Sequence, residues 1–523
     1  MNNNKKFRID LFIHLDGIAL IAPLACLFKT DYKKIKDLKS GNNATIKISK
    51  LYTHNINGDY LNVTFRLFES QGWITRKWIN NQELSIEPTK YGKEIFNEIS
   101  IYEKFFPWYK NLSELSFLNL NEYQKLNKLL NTYNNLNIEN KIILKHIEGL
   151  ILGPVLVSLF LNKQAKITDN KLILSKKISL ENKHFIINLF KQLELVDKEL
   201  NLTEKGIFFC KRSSAYGVTV SYMPLFSKMQ TLLFGNTSNI LNRDQDGNEL
   251  HVNRKMNVWG SGGAHKLYFK KIDEIIIEIF NYPIKKQPIG IADMGCGDGT
   301  MLIHLYNLIK NKTLRGQMLD TYPLHVIGAD FNEEALDVTH ENLNSENISH
   351  ILIQADIGNP DDFNKELEKS HNIKLNELLN VRSFLDHNRV FEMPNINNFD
   401  LSNISINSTA AFCANDNNNK ILNPIIFKLS LIEHFKKWKP HINKFGLILL
   451  ELHTIEPALC SKNIGNTLAT AYDATHGYSN QYIIEYEEFV NAAIIAGLKF
   501  EEKFEFNFPN KELTTVSINL ISS

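Results

Sequence analysis

The stretch Ile289 to Thr300, IGIADMGCGDGT, constrains this chain more than any other part of it. Its apolar run IGIADM is short enough for a buried strand. Glycines follow at 295, 297 and 299, and then MLIHLYNLI places apolar residues at helical spacing. The pattern predicts a strand, a tight loop and a helix. Glycine at alternate positions removes the Cβ atoms that would hold a ligand off the backbone and permits positive φ. A phosphate loop would place Lys and then Ser or Thr after its last glycine, and a dinucleotide loop would space its glycines G-x-G-x-x-G. Neither arrangement is present, so the loop suits a flat polar ligand that carries no phosphate.

Two acidic strand ends follow. HVIGADFN, residues 325 to 332, reads as a strand ending in Asp330, and ISHILIQADIG, residues 348 to 358, as one ending in Asp356. The D-x-G-x-G-x-G run from Asp293 resembles the first motif of class I S-adenosylmethionine (SAM)-dependent methyltransferases. The resemblance implies that Asp293, Gly295, Gly297 and Gly299 lie at the methionine end of SAM. An acidic residue at the second strand end, Asp330, can accept hydrogen bonds from the ribose hydroxyls. One at the third, Asp356, can accept from the adenine amino group.

Beyond Asp356 helix and strand patterns keep alternating: helix 361 to 370, strand 377 to 385, helix 424 to 438, strand 444 to 452, helix 485 to 496, then strands 498 to 506 and 513 to 520. With the first three this makes seven strands. Helical connections are what parallel strands require. The expected fold is α/β, a seven-stranded Rossmann-like class I methyltransferase sheet whose last strand runs antiparallel. A mostly helical amino-terminal region precedes it.

That region contains an internal repeat. His14-Leu15-Asp16-Gly17 leads through Pro23 to Leu27-Phe28, and His146-Ile147-Glu148-Gly149 leads through Pro154 to Leu159-Phe160, with equal spacing from His to Phe. The first copy continues into DYLNVTFRLFESQGWI and LSIEPTKYG, the second into NKHFIINLFKQLELV and LNLTEKG. Helices followed by a short strand pair, twice, resemble two winged-helix modules. A DNA-reading helix must present Lys and Arg to phosphates. The last helices offer Asp59, Arg66 and Glu69 in one copy and Glu181, Lys183, Lys191 and Glu194 in the other, so neither is basic. Packing, dimerisation into a homodimer or service as an active-site lid is favoured over DNA binding. The expected modules are 1 to 130, 131 to 235, and a SAM-dependent methyltransferase domain over 236 to 523 that opens with a bridge or cap at 236 to 285.

The net charge of +2 gives no bulk electrostatic case for nucleic acid, and 43% apolar with 22% charged residues is ordinary globular composition. Five scattered cysteines without a C-x-x-C pair suggest a reducing compartment. The start MNNNKKFRIDLF does not read as a signal peptide. The apolar segments Gly17 to Phe28 and Gly149 to Leu161 fall short of the ~20 residues that span a bilayer and read as buried helices. The expected location is the cytoplasm, with no membrane partner.

The bridge holds HVNRKMNVWGSGGAH, residues 251 to 265, in which Arg254 is a candidate substrate contact. Two polar excursions sit where the carboxyl edge of the sheet should lie, the edge at which open α/β folds bind ligands. One is VRSFLDHNR, residues 381 to 389. The other runs from LELHTIEP, residues 450 to 457, to ATAYDATHGYSNQY, residues 469 to 482. They supply His387, His453 and His476 as candidate catalytic bases and Arg382 and Tyr472 as candidate substrate contacts. Enzymes that methylate exocyclic amines of bases carry an Asn- or Asp-Pro-Pro-aromatic run after strand four, and SFLDHNR is not one.

These segments resemble the methyltransferases of polyketide pathways related to the loading-module methyltransferase of apratoxin synthase, from the bridge to the carboxyl terminus. The resemblance implies carbon methylation beside a carbonyl on an acyl group tethered to a carrier protein. Some members hold a mononuclear metal with a His and a Gln. That pair maps onto His387 and Gln481, with His453 as the alternative ligand and iron or manganese as the ion. Two readings compete: an oxygen or nitrogen methyltransferase of a free small molecule, and a SAM-binding regulator whose winged helices contact DNA.

Overall fold

The computed structural model describes residues 3–80, 82–118, 122–244, 249–405, 407–413 and 421–523, without the side chains of 263–266 and 403. The chain divides into two compact units. One comprises Met1–Ala264 with Ala411–Ile421 and Glu456–Asn480, and the other comprises His265–Ala410 with Leu422–Ile455 and Gln481–Ser523. The segment expected to be a bridge falls on both sides of this division. Its Ser-Gly-Gly run lies inside one helix, Arg254–Ile279.

The first unit is built on the two repeated helices, Asn3–Leu27 and Lys141–Leu161. Both are longer than the apolar segments suggested. Each is long and apolar enough to cross a membrane by length and composition, and each is 83% buried over its most apolar window. The repeat has a packing reason. A Cβ on Gly17 would lie 2.3 Å from the Cα of His146, and a Cβ on Gly149 would lie 2.4 Å from the Cα of His14. Each H-x-x-G supplies a glycine to the other helix and receives one from it. The histidines take matching partners: His14 Nδ1 pairs with the Tyr216 hydroxyl at 2.7 Å, and His146 Nδ1 with the Tyr102 hydroxyl at 3.0 Å. Gly149→Ala forces the crossing apart and is expected to destabilise this unit by about 1–3 kcal/mol, as overpacking does. A urea midpoint equal to the wild type would contradict the close approach.

Strands β1 (Ala44–Lys47), β2 (Ile74–Asn80) and β3 (Glu83–Pro88) form an antiparallel sheet in the order β1-β3-β2, and β4 (Ala165–Thr168) pairs with β5 (Lys171–Leu174) as a hairpin. The second repeat element is equally explicit. Thr89 caps the helix Lys90–Asn97 by accepting from the Gly92 amide, and Thr203 caps Glu204–Lys211 by accepting from the Gly206 amide. The Thr89 amide donates to the Trp73 carbonyl and the Thr203 amide to the Leu195 carbonyl, each at 3.0 Å. Each glycine lies against that same carbonyl, where no side chain fits.

The helix Gly58–Ser70, weighed above for DNA contacts, is a core helix. Asp59 and Arg66 are buried, and Arg66 Nε donates to Asp473 Oδ2 at 3.0 Å. Asp473 belongs to the helix Ala469–Gly477, so while Gln481 and Tyr482 belong to the second unit, Glu456–Asn480, most of the second polar excursion, folds into the first. Gln71 Nε2 donating to Thr470 Oγ1, and Thr64 paired with the Tyr478 hydroxyl, hold it there.

The second unit contains β6 (Gly290–Met294), β7 (His325–Asp330), β8 (Ile351–Gln354), β9 (Leu378–Ser383), β10 (Leu447–Thr454), β11 (Ile484–Glu485), β12 (Lys499–Phe508) and β13 (Val516–Ser522). Seven of them run in the order β12-β13-β10-β9-β6-β7-β8, and the two-residue β11 adds to β10 as an eighth. Pairs from β8 across to β10 are parallel, while β13 is antiparallel to both β10 and β12. From β6 the chain moves outward to β7 and β8, then returns to β9 on the other side. The strand order therefore reverses at β6, and open sheets bind ligands at such a reversal. Every residue of β6 is buried, as a central parallel strand requires.

Candidate active site

At the end of β6 the chain turns through Gly295, Gly297 and Gly299, all at positive φ, into the helix Thr300–Lys312. The Gly295 and Cys296 amides both donate to the Ala329 carbonyl, which pins the loop to the end of β7. Asp330, the last residue of β7, accepts from the Gly297 amide through Oδ2 and from the Asn332 amide through Oδ1. A Cβ on Gly297 would meet nothing within 4 Å, so the loop borders open space there. Asp293 is buried, and its Oδ1 has no hydrogen-bond partner. Burial, reinforced by the charge of Asp330, pushes its carboxyl up to about 8. Asp356 lies two residues beyond β8 and accepts from the Gly358 amide at 2.8 Å. An unpartnered acid beneath an open glycine cradle fits a cationic ligand with donor groups, which SAM is.

After β9 the chain passes through the short turn Asp386–Asn388. His387 Nδ1 lies 2.5 Å from Glu451 Oε1, and the His387 amide donates to Glu451 Oε2 at 3.2 Å. A carboxylate can only accept, so Nδ1 carries the hydrogen in this pair. Both side chains are buried. With Asp386, Arg389 and Tyr482 they line a cavity of about 10 Å³, the room of about one water molecule. Arg389 Nη1 donates to the Asp386 carbonyl, while its buried Nη2 has no hydrogen-bond partner. Burial draws the Arg389 guanidinium down to about 10.

Arg382 does not offer a substrate contact. It is fully buried, doubly hydrogen-bonded to Asp386 at 2.7 and 2.8 Å, and stacked on Trp438. Burial works against ionisation of Asp386, but Arg382 and His434 outweigh it and hold the carboxyl below its usual range. His453 is not on a loop. It lies within β10, fully buried, with Nε2 at 2.8 Å from the Ser517 hydroxyl and its ring against Tyr486 and Phe489. Burial pushes its imidazole down to about 3, so it stays neutral. Arg254 is exposed and makes two 2.7 Å hydrogen bonds to Glu249. Tyr472 and His476 lie on the helix Ala469–Gly477 of the first unit, where His476 Nδ1 pairs with the Tyr472 carbonyl at 2.8 Å.

Among the described residues no three or more His, Cys, Asp or Glu side chains surround a metal position. The proposed pair stands differently from that alternative. The Tyr482 amide donates to the His387 carbonyl at 2.6 Å, which brings the preceding residue, Gln481, beside His387 along the backbone. An imidazole whose Nδ1 is held by a carboxylate is what a ligating histidine ordinarily has. The chemistry of His387 and Gln481 therefore fits a sparse two-donor site, whereas His453 lies fully buried within β10 with its ring packed against Tyr486 and Phe489 and its Nε2 held by Ser517.

Glu451 was not singled out from the sequence. Its signal is an acidic residue inside the apolar run LILLELHT, because a charge on a strand covered on both faces needs a partner.

A central parallel sheet that reverses at a glycine-rich loop, with acids at three successive strand ends, defines a SAM-dependent methyltransferase. The chain belongs to the family described as the AprA MT2-like domain, whose model matches residues 249–519. Residues 148–236 match the AprA winged helix domain and residues 7–76 the AprA N-terminal domain. Among solved structures, the citrinin polyketide synthase CMeT domain is 10% identical, with a TM-score of 0.35, over 82% of this chain and 97% of that one. The DszA carbon methyltransferase is 8% identical, with a TM-score of 0.35, over 83% and 94%. An O-methyltransferase family protein from Burkholderia thailandensis is 10% identical, with a TM-score of 0.37, over 71% and 93%. No curated protein matched the chain.

Proposed function

We propose that this enzyme methylates carbon next to a carbonyl in an acyl group delivered by a carrier protein, with His387 as the base. The observation that carries this reading is the buried His387–Glu451 pair lining the same small cavity as Arg389, whose Nη2 has no hydrogen-bond partner. Carbon acids give up protons reluctantly. Their methylation calls for an oriented base, worth ~10²–10⁴ in rate, and for a donor to the oxygen on which negative charge develops. Nδ1–H held by Glu451 fixes the imidazole so that Nε2 takes the proton, and the Glu451 carboxylate stabilises the resulting cation. Arg389 Nη2 is the donor suited to the carbonyl oxygen. The cavity is the size of that one atom rather than of a whole acyl chain.

Bound SAM supplies the methyl group on a sulfonium. The loop at Gly297 and the carboxylates of Asp330 and Asp356 would orient it, and alignment of this kind supplies up to ~7–11 kcal/mol. Asp293 should respond to the arriving positive charge. Its carboxyl, raised to about 8, is protonated at neutral pH. A cation beside it lowers that value, so binding SAM below pH 8 should release a proton. Calorimetry in buffers of different ionisation enthalpy measures the release, and Asp293→Asn is expected to remove it.

The donor chemistry of His387 supports a second reading. An iron or manganese ion held by His387 and Gln481 would supply Lewis acidity at the same oxygen. Incubation with labelled SAM, with and without added iron or manganese, against malonyl carrier protein and a panel of free carboxylic acids and phenols tests both readings. Label on the acyl carbon of the carrier-bound substrate is expected. Label found only on the oxygen of a free acid or phenol would overturn the proposal.

A further inference from the structure

The β4–β5 hairpin presents a one-sided basic face that the methyltransferase reaction does not use. In its register Lys166 lies opposite Ile173 and Thr168 opposite Lys171, while Ala165–Leu174 and Ile167–Leu172 are the alternate pairs. The alternate set is partly buried against the core of the first unit, so Lys166, Thr168, Lys171 and Ile173 point outward. Lys163, Lys176 and Lys177 are exposed at the base of the hairpin, where the Ser175 amide donates to the Gln164 carbonyl. None of these five lysines forms an ion pair among the described residues. The hairpin carries one carboxylate, Asp169, at its turn, and the neighbouring Asp197 is engaged by Asn201.

We propose that this face is a docking surface for an acidic protein, namely the carrier that brings the acyl group. The inference rests on the carrier-bound reading above. Two features favour a protein over a nucleic acid. Ile173, 42% exposed in the middle of the lysines, and Leu180, 71% exposed at the start of the following helix, gain from apolar side chains and gain nothing from phosphates. Lysines around an apolar centre complement an acidic protein surface and steer its approach.

The test uses the full chain and a fluorescently labelled acidic acyl carrier protein without its acyl group. Lys166→Glu combined with Lys171→Glu changes only outward-facing side chains and should leave the thermal midpoint unchanged. It is expected to weaken carrier binding about 10-fold or more and to flatten its salt dependence. Ile173→Ser, which leaves the charges in place, is expected to weaken binding without changing that salt dependence. Carrier affinity unchanged in the double variant, or no carrier binding by the wild type, overturns the proposal. So does short duplex DNA bound more tightly than the carrier and released by the same substitutions. Methyl transfer to malonyl-pantetheine, which has no protein to dock, should be equal in wild type and variant. If neither the free nor the carrier-bound thioester is methylated but binding still falls in the variant, the surface stands and the assigned reaction fails.

Discussion

Gly297→Val is expected to abolish SAM binding, raising Kd by about 100-fold or more, in a protein that still folds. The three loop glycines are not equivalent in what a side chain would meet. A Cβ on Gly295 would come within 2.9 Å of Leu385, and one on Gly299 within 3.1 Å of Thr339, so changes there disturb the protein itself. At Gly297 a Cβ would enter open space, the space assigned to the cofactor. The residue sits at φ +57, and forcing a β-branched side chain into that region costs roughly 1–2 kcal/mol, a tolerable fraction of ordinary domain stability of about 5–15 kcal/mol. Loss of binding would then report blocked space. Calorimetry with SAM on the folded variant decides the matter, and unaltered affinity would remove the basis for placing the cofactor on this loop. Asp330→Ala should cost ~1.5–3 kcal/mol of binding, roughly 10- to 150-fold in Kd, as for a charged acceptor. Part of that loss would come from freeing the Gly297 amide that Asp330 holds.

The methyltransferase sheet was legible because its signals are local. Apolar runs of strand length ending in Asp330 and Asp356, and helical spacing between them, define the elements without knowledge of the partners. The helix 424 to 438 appears with the bounds the sequence suggested. Long-range placement was not legible. The residues ATAYDATHGYSNQY carry the polarity of an active-site loop, but Asp473, Thr470 and Tyr478 direct theirs at Arg66, Gln71 and Thr64 in the first unit, and only the end of the stretch, Gln481 and Tyr482, reaches His387 in the second. Sequence spacing says nothing about such pairings, which depend on contacts some 400 residues apart. His453 misled for a related reason. Period-two alternation would have placed it on a strand, but LELHTIEP read as the polar end of one, and what makes its imidazole structural is packing against Tyr486 and Phe489 with a hydrogen bond to Ser517 on β13.

The duplication shows the opposite case, in which a sequence regularity had a physical cause that only the fold reveals. H-x-x-G recurs because each helix needs a glycine where the other brings a histidine backbone against it. The close approach is reciprocal, so losing either glycine damages the same crossing. The charges attached to the repeat have diverged: Glu148 sits 2.6 Å from Lys145, whereas Asp16 is left with Gln71 and is pushed up to about 8 by burial.

His387→Ala is expected to lower kcat by ~10²–10⁴, the range for loss of a general base, while SAM affinity stays within a few-fold of the wild type because the groups proposed to hold SAM lie at the ends of β6, β7 and β8. Glu451→Gln separates orientation from charge. A Gln oxygen can still accept from Nδ1–H and hold the ring, but it cannot stabilise the imidazolium, so kcat should fall about 10- to 100-fold with little change in KM. The same substitutions distinguish base from metal. If His387 is a base, protein stripped by a chelator keeps full activity, and metal analysis shows no difference between wild type and His387→Ala. If His387 and Gln481 hold an ion, stripping removes activity, added iron or manganese restores it, and His387→Ala loses more bound metal than Gln481→Ala because imidazole is the stronger ligand. An undiminished rate in His387→Ala, under saturating SAM and acceptor, would leave the buried His387–Glu451 pair as a structural contact and would move the search for the base elsewhere in the protein.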